Sequence, residues 1–244
     1  PVPSANTSLV PRGDDSLQRW LARPPKRLSL ATLPTPVERC TALDRGRASV
    51  WVKRDDQSSP IYGGGKVRKL EYVLANPPHD GDTPVLSLGG TGSHHLLAVA
   101  LFLAETGRTL HALTFDQVMT PHVRTGLAVL ASLGTQFWHS RTRAGIPLAW
   151  LRYQLWQRPT RRGVYMPPGA SDGLGGLGFV AAGQELATQI AAGELPHPGR
   201  IYVTGGSAGT SAGLAIGLAA ANREDIDVHA VAVCDNAAYF DAFL

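Results

Sequence analysis

The chain has few cysteines and no long apolar run. Two of its 244 residues are cysteine, and Cys40 and Cys234 form no metal-binding or redox motif. Apolar stretches such as residues 96–104 are much shorter than the roughly 20 residues that a membrane span needs. The first residues show no signal-peptide pattern. These absences predict a reduced, cytoplasmic protein without a membrane partner.

Charged residues are also scarce, at 17% of the chain, whereas apolar residues make up 43% and exclude a disordered chain. The net charge is +4, and the basic clusters are scattered without aromatic residues between them. A nucleic-acid partner is therefore not expected. Lysine is rarer than arginine, and only four lysines are present. Chemistry that needs a primary amine is therefore limited to Lys26, Lys53, Lys66 and Lys69.

Glycine is abundant, with 27 residues, many of them in loops between predicted strands and helices. Apolar periodicity predicts strands at 49–53, 84–88, 109–115, 135–138, 163–166, 200–203 and 228–233. It predicts helices at 67–74, 94–104, 123–133, 147–156, 179–192 and 211–221. The alternation indicates an α/β protein with an open, mostly parallel sheet and helices on both faces. Residues 1–15, which include a stretch like a protease-cleavage linker, are left out of this prediction.

The first glycine loop, residues 63–65, leads directly into a lysine. Glycine lets the backbone approach a ligand closely. The positive end of the following helix, together with Arg68 and Lys69, favours a neutral amine at Lys66, as a Schiff-base lysine requires. A flexible turn before a basic helix explains the pattern about equally well. A Walker A loop is excluded, because Val67 stands where serine or threonine would bind magnesium.

The second glycine loop, residues 205–210, lies between a predicted strand and a predicted helix. Its backbone N–H groups and the hydroxyls of Ser207 and Thr210 predict a phosphate cradle at the helix N-terminus. The loop has no lysine, which favours a phosphate monoester over a nucleoside triphosphate. Its spacing also differs from G-x-G-x-x-G. A tight turn built from small residues is the alternative.

Two further loops precede predicted helices. Ser93 stands at an N-cap position, and its loop would present N–H groups to a carboxylate. His94 and His95 are adjacent and therefore face different sides of a helix, so no metal site is predicted. Ser171 or Asp172 is the predicted cap of the helix near residue 179.

Together, these four stretches resemble the pyridoxal 5'-phosphate (PLP) enzymes that comprise 1-aminocyclopropane-1-carboxylate deaminase and D-cysteine desulfhydrase. The resemblance runs from about residue 35 to the end of the chain, through Thr35-Pro36, 52–56, 63–71, Ser93, Ser171 and 206–210. It implies the two-domain tryptophan synthase β-like fold (PLP fold type II), with open twisted parallel sheets and flanking helices. Residues 1–79 and 166–244 would form the larger PLP-binding domain, and residues 80–165 the smaller α/β domain.

The resemblance also implies roles for individual residues. Lys66 would bind the cofactor covalently, and Ser93 would contact the substrate and take part in acid–base chemistry. The phosphate would be held by Gly206, Ser207, Ala208, Gly209 and Thr210. The remaining substrate contacts would be His94, His95 and Ser171, with His94 also contacting the cofactor. The family has asparagine at the positions of His94 and Gly65.

The implied activity is deamination of a small amino acid, like aminocyclopropanecarboxylate or D-cysteine, with release of ammonia and a 2-keto acid. A homodimer is implied as well. The family continues well past the position of Leu244, so a C-terminal part of the larger domain is expected to be missing. Two alternatives stay open: a PLP-binding homologue without turnover, and a nucleotide-cofactor oxidoreductase, which only the loop at 205–210 supports.

Overall fold

The computed structural model describes residues 25–46, 48–206 and 208–233. Strands and helices alternate along these ranges. The strands are β1 (Val37–Arg39), β2 (Trp51–Lys53), β3 (Val85–Gly90), β4 (Leu110–Phe115), β5 (Gln136–Ser140), β6 (Val164–Met166), β7 (Arg200–Gly205) and β8 (Asp227–Ala232). The α-helices are α1 (Lys66–Val73), α2 (His94–Ala104), α3 (Pro121–Ser132), α4 (Ile146–Trp156), α5 (Gly173–Ala191) and α6 (Gly209–Ala220). None of these helices is long and apolar enough to span a membrane.

The largest sheet has four parallel strands in the order β5-β4-β3-β6. Strands β7 and β8 form a parallel pair, and β1 and β2 an antiparallel pair. The inner strands β3 and β4 are mostly buried along their length, as expected for a parallel sheet covered on both faces. The predicted α/β class is therefore confirmed. The division into domains of 80–165 and of 1–79 with 166–244 stays a prediction.

Helices cover both faces of the four-stranded sheet. On one face, α1, α2 and the strands share a core that includes Val67, Leu70, Val99 and Phe102. On the other face, Tyr153 of α4 packs with a smaller cluster of strand residues. Complete burial of a leucine or phenylalanine side chain contributes roughly 1.5–3 kcal/mol to stability. These two cores hold the sheet and fix the loops at the carboxyl ends of its strands.

Helix α5 begins at Gly173, six residues before the predicted start at residue 179. The Asp172 side chain caps it by accepting a hydrogen bond from the backbone N–H three residues later, at 2.7 Å. The glycines that follow lower helix propensity, and they were therefore predicted to form a turn. Glycine is needed in this helix for close packing against α1, because a Cβ atom on Gly178 would overlap the backbone carbonyl of Arg68. The predicted start of this helix was wrong because close contact between helices outweighs local propensity.

A buried ionic network holds α1 against α5 and the segments around β1 and β2. The Arg68 side chain is 1% exposed and forms ion pairs with Asp55 at 2.8 Å and with Glu185 at 2.9 Å. Arg68 also donates a hydrogen bond to the Thr35 hydroxyl at 3.0 Å, and Lys53 pairs with Glu185 at 2.5 Å. Several residues that carry the family resemblance therefore belong to this network.

Candidate active site

Lys66 is the first residue of α1, as predicted, and the glycine loop before it fixes its position. Gly64 has a φ of +106°, which is unfavourable for other residues, and a Cβ atom on Gly63 would overlap the backbone carbonyl oxygen of Asp56. Burial lowers the pKa of Lys66. The structure thus places a partly buried amine, more easily made neutral than an exposed lysine, at the positive end of a helix.

Lys69 lies one turn further along α1 and is completely buried. Its Nζ donates a hydrogen bond to the hydroxyl of Ser171 at 3.0 Å. Burial and the positive charge of Lys66 lower the pKa of Lys69 to about 8, although Asp172 opposes the shift. Sequence reasoning named Lys69 among the four candidate amines but gave it no role beyond that of a cation near Lys66. The spacing of three residues, which places two side chains on one face of a helix, was the signal that could have identified it.

The second glycine loop faces Lys69. A Cβ atom on Gly209 would lie 3.3 Å from both Lys69 Nζ and the Ser171 hydroxyl, so the glycine keeps this space open. Helix α6 begins at Gly209, and the first N–H groups of a helix have no partner within it. Within the predicted phosphate loop, 206–210, Ser207 lies outside the described residues. The described part of the loop therefore places a helix N-terminus next to a buried ammonium group.

The loop that contains Ser93 follows β3. The Ser93 hydroxyl caps α2 by accepting a hydrogen bond from Leu96 N at 3.3 Å, which confirms the predicted N-cap. The side chain of Gln117 supports the loop by accepting a hydrogen bond from Gly92 N at 2.8 Å. A small cleft beside the loop is lined by Thr91, Gly92, Ser93, His94, Leu97, His122, Val123, Gly126 and Leu130. Contact between Ser93 and a substrate stays a prediction.

His94 contacts two residues that sequence reasoning missed. Its Nδ1 lies 2.5 Å from the Tyr62 hydroxyl oxygen, and its Nε2 lies 3.3 Å from Nε2 of His122. Burial lowers the pKa of His94, and the positive charges of His122 and Lys66 lower it further. No local pattern links these residues, because Tyr62 and His122 lie 32 and 28 positions from His94 in the chain.

His95 points into the interior. Its Nε2 lies 2.9 Å from the hydroxyl oxygen of Ser87, which donates its own proton to the carbonyl oxygen of Met166. His95 Nε2 must therefore be the donor, which leaves Nδ1 as a buried acceptor without a partner among the described residues. Burial and the charges of Lys66 and Lys69 lower the pKa of His95 to about 3. Its contact with a substrate stays a prediction, and its burial indicates a structural role.

Phe179 explains the glycine at position 65. A Cβ atom on Gly65 would lie 2.5 Å from Cζ of the Phe179 ring, so a larger residue at position 65 would require the ring to move. The same ring lies 5.7 Å from the ammonium group of Lys69, within the range of a cation–π interaction. The phenylalanine and the glycine thus form a matched pair beside the two lysines.

These residues fit a cofactor that carries a phosphate and a carbonyl group. Among the described residues, neither Lys66 nor Lys69 forms an ion pair with a carboxylate, although both are largely buried. Buried positive charge without a counter-ion is unfavourable, and the N-terminus of α6 adds further positive potential. An anionic group in the space at Gly209 would neutralise this charge. A neutral amine at Lys66 would be the nucleophile for a carbonyl carbon.

Comparison with known proteins agrees with this chemistry. The sequence profile described as pyridoxal-phosphate dependent enzyme matches residues 28–244. The chain is 36% identical over 202 residues to nocardicin C-9' epimerase of Nocardia uniformis subsp. tsuyamanensis, an alignment that covers 79% of this chain and 59% of that protein. It is 33% identical over 199 residues to D-cysteine desulfhydrase of Salmonella choleraesuis (strain SC-B67), covering 79% and 60%. The chain thus spans about 60% of the length of these curated relatives.

Solved structures show the same fold. The crystal structure of an ACC deaminase homologue superimposes with a TM-score of 0.75 at 24% identity, covering 95% of this chain and 70% of that one. Maize serine racemase superimposes with a TM-score of 0.60 at 18% identity, covering 80% and 55%. The sequence profile and the superpositions lead to one conclusion: the chain belongs to the pyridoxal-phosphate dependent enzyme family and has the tryptophan synthase β-like fold.

Proposed function

We propose that this chain carries the cofactor site of a PLP-dependent deaminase or lyase. Its substrate would be a small amino acid like aminocyclopropanecarboxylate or D-cysteine, and its products ammonia and a 2-keto acid. The observation that carries the proposal is the pair of amines on α1: Lys66 is partly buried, and Lys69 is completely buried and faces the glycine loop at the N-terminus of α6. The similarity to D-cysteine desulfhydrase and to the ACC deaminase homologue supports the reaction class.

Each residue of the proposed site would have a separate role. When bound, PLP withdraws electrons from the α-carbon of an amino acid. Lys66 would hold the cofactor through its carbonyl carbon and would accept or return a proton at Nζ. The loop 206–210 and Lys69 would bind the phosphate, since a helix N-terminus and an ammonium group both favour an anion. Ser93 and its loop would bind the substrate carboxylate.

Epimerisation of an amino acid is a second candidate function. The observation in its favour is the 36% identity to nocardicin C-9' epimerase, which is as high as the similarity to the desulfhydrases. Both reactions depend on proton transfer at a substrate carbon and differ in whether a bond to nitrogen or to a β-substituent then breaks. A PLP-binding homologue without turnover is the third possibility. Family membership favours PLP over a nucleotide cofactor.

One experiment separates these functions. The purified protein is saturated with PLP, which should give visible absorbance, and is then incubated with D- and L-amino acids and aminocyclopropanecarboxylate. We expect ammonia and a 2-keto acid in equal amounts from at least one substrate. Interconversion of D- and L-forms without ammonia, detected by chiral chromatography, would show the epimerase instead. Bound cofactor without any product would identify the homologue that lacks turnover.

Lys69 offers a test of the phosphate site. Replacing it with methionine keeps much of the buried volume but removes the ammonium group, so we expect the affinity for PLP to fall about 10- to 100-fold. This corresponds to a hydrogen bond to a charged group of roughly 1.5–3 kcal/mol. Absorbance titration of the apoprotein measures the dissociation constant. Lys26→Met, at an exposed lysine, is the control. Equal affinities in both variants would contradict a phosphate contact by Lys69.

The assembly and the location of the protein are proposals too. We infer a homodimer from the family resemblance, and sedimentation velocity would measure the oligomeric state directly. The low cysteine content favours a reducing compartment such as the cytoplasm.

A further inference from the structure

Three side chains beside Ser93 form a continuous hydrogen-bonded chain that no step described so far uses. We propose that Tyr62, His94 and His122 are a proton relay between solvent and a substrate held at Ser93. The proposal rests on the proposed function, because it assigns the route by which protons reach the same site.

The geometry allows a proton to occupy each gap in the chain. The Tyr62 hydroxyl oxygen lies 2.5 Å from His94 Nδ1, and His94 Nε2 lies 3.3 Å from His122 Nε2. A neutral imidazole has one donor and one acceptor nitrogen, so the chain has two opposite orientations. In one orientation each group donates toward Tyr62, and in the other each group donates toward His122. Reversal of the chain moves one proton along its length.

The two ends of the relay lie in different surroundings. His122, the second residue of α3, is exposed to solvent. Tyr62 is half-buried, packs against the main core and immediately precedes the glycine loop that leads to Lys66. His94 follows Ser93 directly in the chain, is exposed to solvent like His122, and lines the same cleft. The relay therefore begins at two exposed histidines and ends at the half-buried Tyr62, whose hydroxyl contacts the residue that follows Ser93.

The charges that face His94 suit a relay. The titratable groups around it are Tyr62 before α1, Lys66 on α1 and His122 on α3. Burial, His122 and Lys66 all lower the pKa of His94, so its imidazole is neutral at neutral pH. A neutral imidazole accepts a proton at one nitrogen while it releases another from the opposite nitrogen.

Delivery of a proton to substrate proceeds in four coupled transfers. Tyr62 gives its hydroxyl proton to the substrate carbon, and its oxygen takes the proton from His94 Nδ1. His94 Nε2 then takes the proton from His122 Nε2. His122 regains a proton at Nδ1 from water. Each transfer breaks one O–H or N–H bond and forms another, so the net change is one proton moved from solvent to substrate.

The residue type at position 94 determines whether protons can pass along this chain of contacts. An asparagine amide donates and accepts hydrogen bonds but does not exchange protons at neutral pH, whereas an imidazole does both. Histidine at position 94 therefore provides a proton-transfer group, whereas an amide there would provide only a hydrogen-bonding group. Such a route would serve either proposed reaction, because both need protons exchanged at a substrate carbon.

The first test uses the protein without cofactor. Histidine labelled with ¹⁵N allows NMR to report which ring nitrogens of His94 and His122 carry protons and how each titrates. We expect one of the two facing Nε2 atoms to be protonated and the other bare, with coupled titrations. The variants His122→Asn and Tyr62→Phe should each shift the titration of His94, and His197→Asn should not. An unchanged His94 titration in both variants would overturn the relay.

The second test uses the PLP-loaded protein. We expect His122→Asn to lower kcat at least about tenfold with KM changed less than twofold, because it removes proton transfer but not substrate binding. Added imidazole should restore part of the lost rate. The control, His197→Asn, removes an exposed histidine that pairs with Asp225 and should behave as wild type. A raised KM, or a loss that imidazole does not restore, would refute the relay.

The two tests separate failure of the relay from failure of the proposed function. A wild-type protein that turns over no amino acid contradicts the proposed function, and the NMR experiment, which needs no cofactor, then decides on the hydrogen-bonded chain. A wild-type protein that is active, with His122→Asn equally active, refutes the relay and leaves the proposed function standing.

Discussion

Replacing Lys66 with alanine is expected to abolish covalent binding of PLP and to lower kcat at least about 1000-fold, since both the nucleophile and the proton carrier are lost. Lys69 cannot take over, because its Nζ is held by Ser171 and faces the glycine loop. Reduction with borohydride followed by mass spectrometry of peptides identifies the modified lysine. In wild type we expect the modification on Lys66, together with visible absorbance that Lys66→Ala lacks.

The control for this experiment is Lys26→Ala, which removes an exposed lysine and should leave absorbance and turnover unchanged. Thermal unfolding of the apoprotein should differ little between Lys66→Ala and wild type, because Lys66 forms no ion pair with the described residues. A reduced adduct found on Lys69 in the wild-type protein would show that the assignment of Lys66 is wrong. Loss of the fold in Lys66→Ala would mean that its inactivity says nothing specific about the amine.

Regular apolar periodicity made most of the fold predictable. Helix α2 has the predicted bounds of 94–104, because its end is marked by a capping serine and its body is almost entirely apolar. Strand β1, in contrast, was not predicted, since its three residues carry two charges and pair with β2 only in the folded chain. Sequence patterns thus revealed elements that are regular by themselves and missed one that depends on its partner.

Part of the candidate site could be predicted from local sequence patterns. Lys66 and the loop at 206–210 follow from glycine runs placed before helices, where close backbone approach and helix N-termini favour an anion or a reactive amine. The rest depends on contacts between distant segments. Tyr62, His94 and His122 come from three separate elements. Ser171 is brought to Lys69 across 102 residues, and no periodicity in the sequence records such a contact.

The motif around β2 shows that residues which carry a family resemblance need not lie in the active site. Lys53 and Asp55 belong to the residues that carry the resemblance, yet both contact the buried network around Arg68 and Glu185 rather than the cleft. Arg68 lies between Lys66 and Lys69 on α1 and faces α5. The network therefore fixes the rotation of α1 and, with it, the direction of the two amines.

Replacing Arg68 with methionine should lower the free energy of unfolding by about 3–5 kcal/mol, because it leaves the partly buried Asp55 without its ion-pair partner and leaves the buried Glu185 with Lys53 alone. Urea unfolding followed by circular dichroism measures the loss. Arg39→Met is the matched control: Arg39 pairs with Asp44 at the surface and should contribute about 0–1 kcal/mol. Equal losses in the two variants would show that burial of the Arg68 network has no energetic consequence.

The pH dependence of the free energy of unfolding tests the same network in a second way, which does not depend on how much stability Arg68→Met loses at neutral pH. Burial raises the pKa of Glu185, but hydrogen bonds from Arg68 and Lys53 outweigh it and lower the pKa to about 2, from 4.5. Because the folded pKa lies below the unfolded one, Glu185 contributes stability above pH 4.5 that is lost as the pH falls toward 2. Without Arg68 the carboxylate loses its main partner and its pKa rises. Wild type should therefore lose stability steeply between pH 4.5 and 2, and Arg68→Met should lose less over that interval.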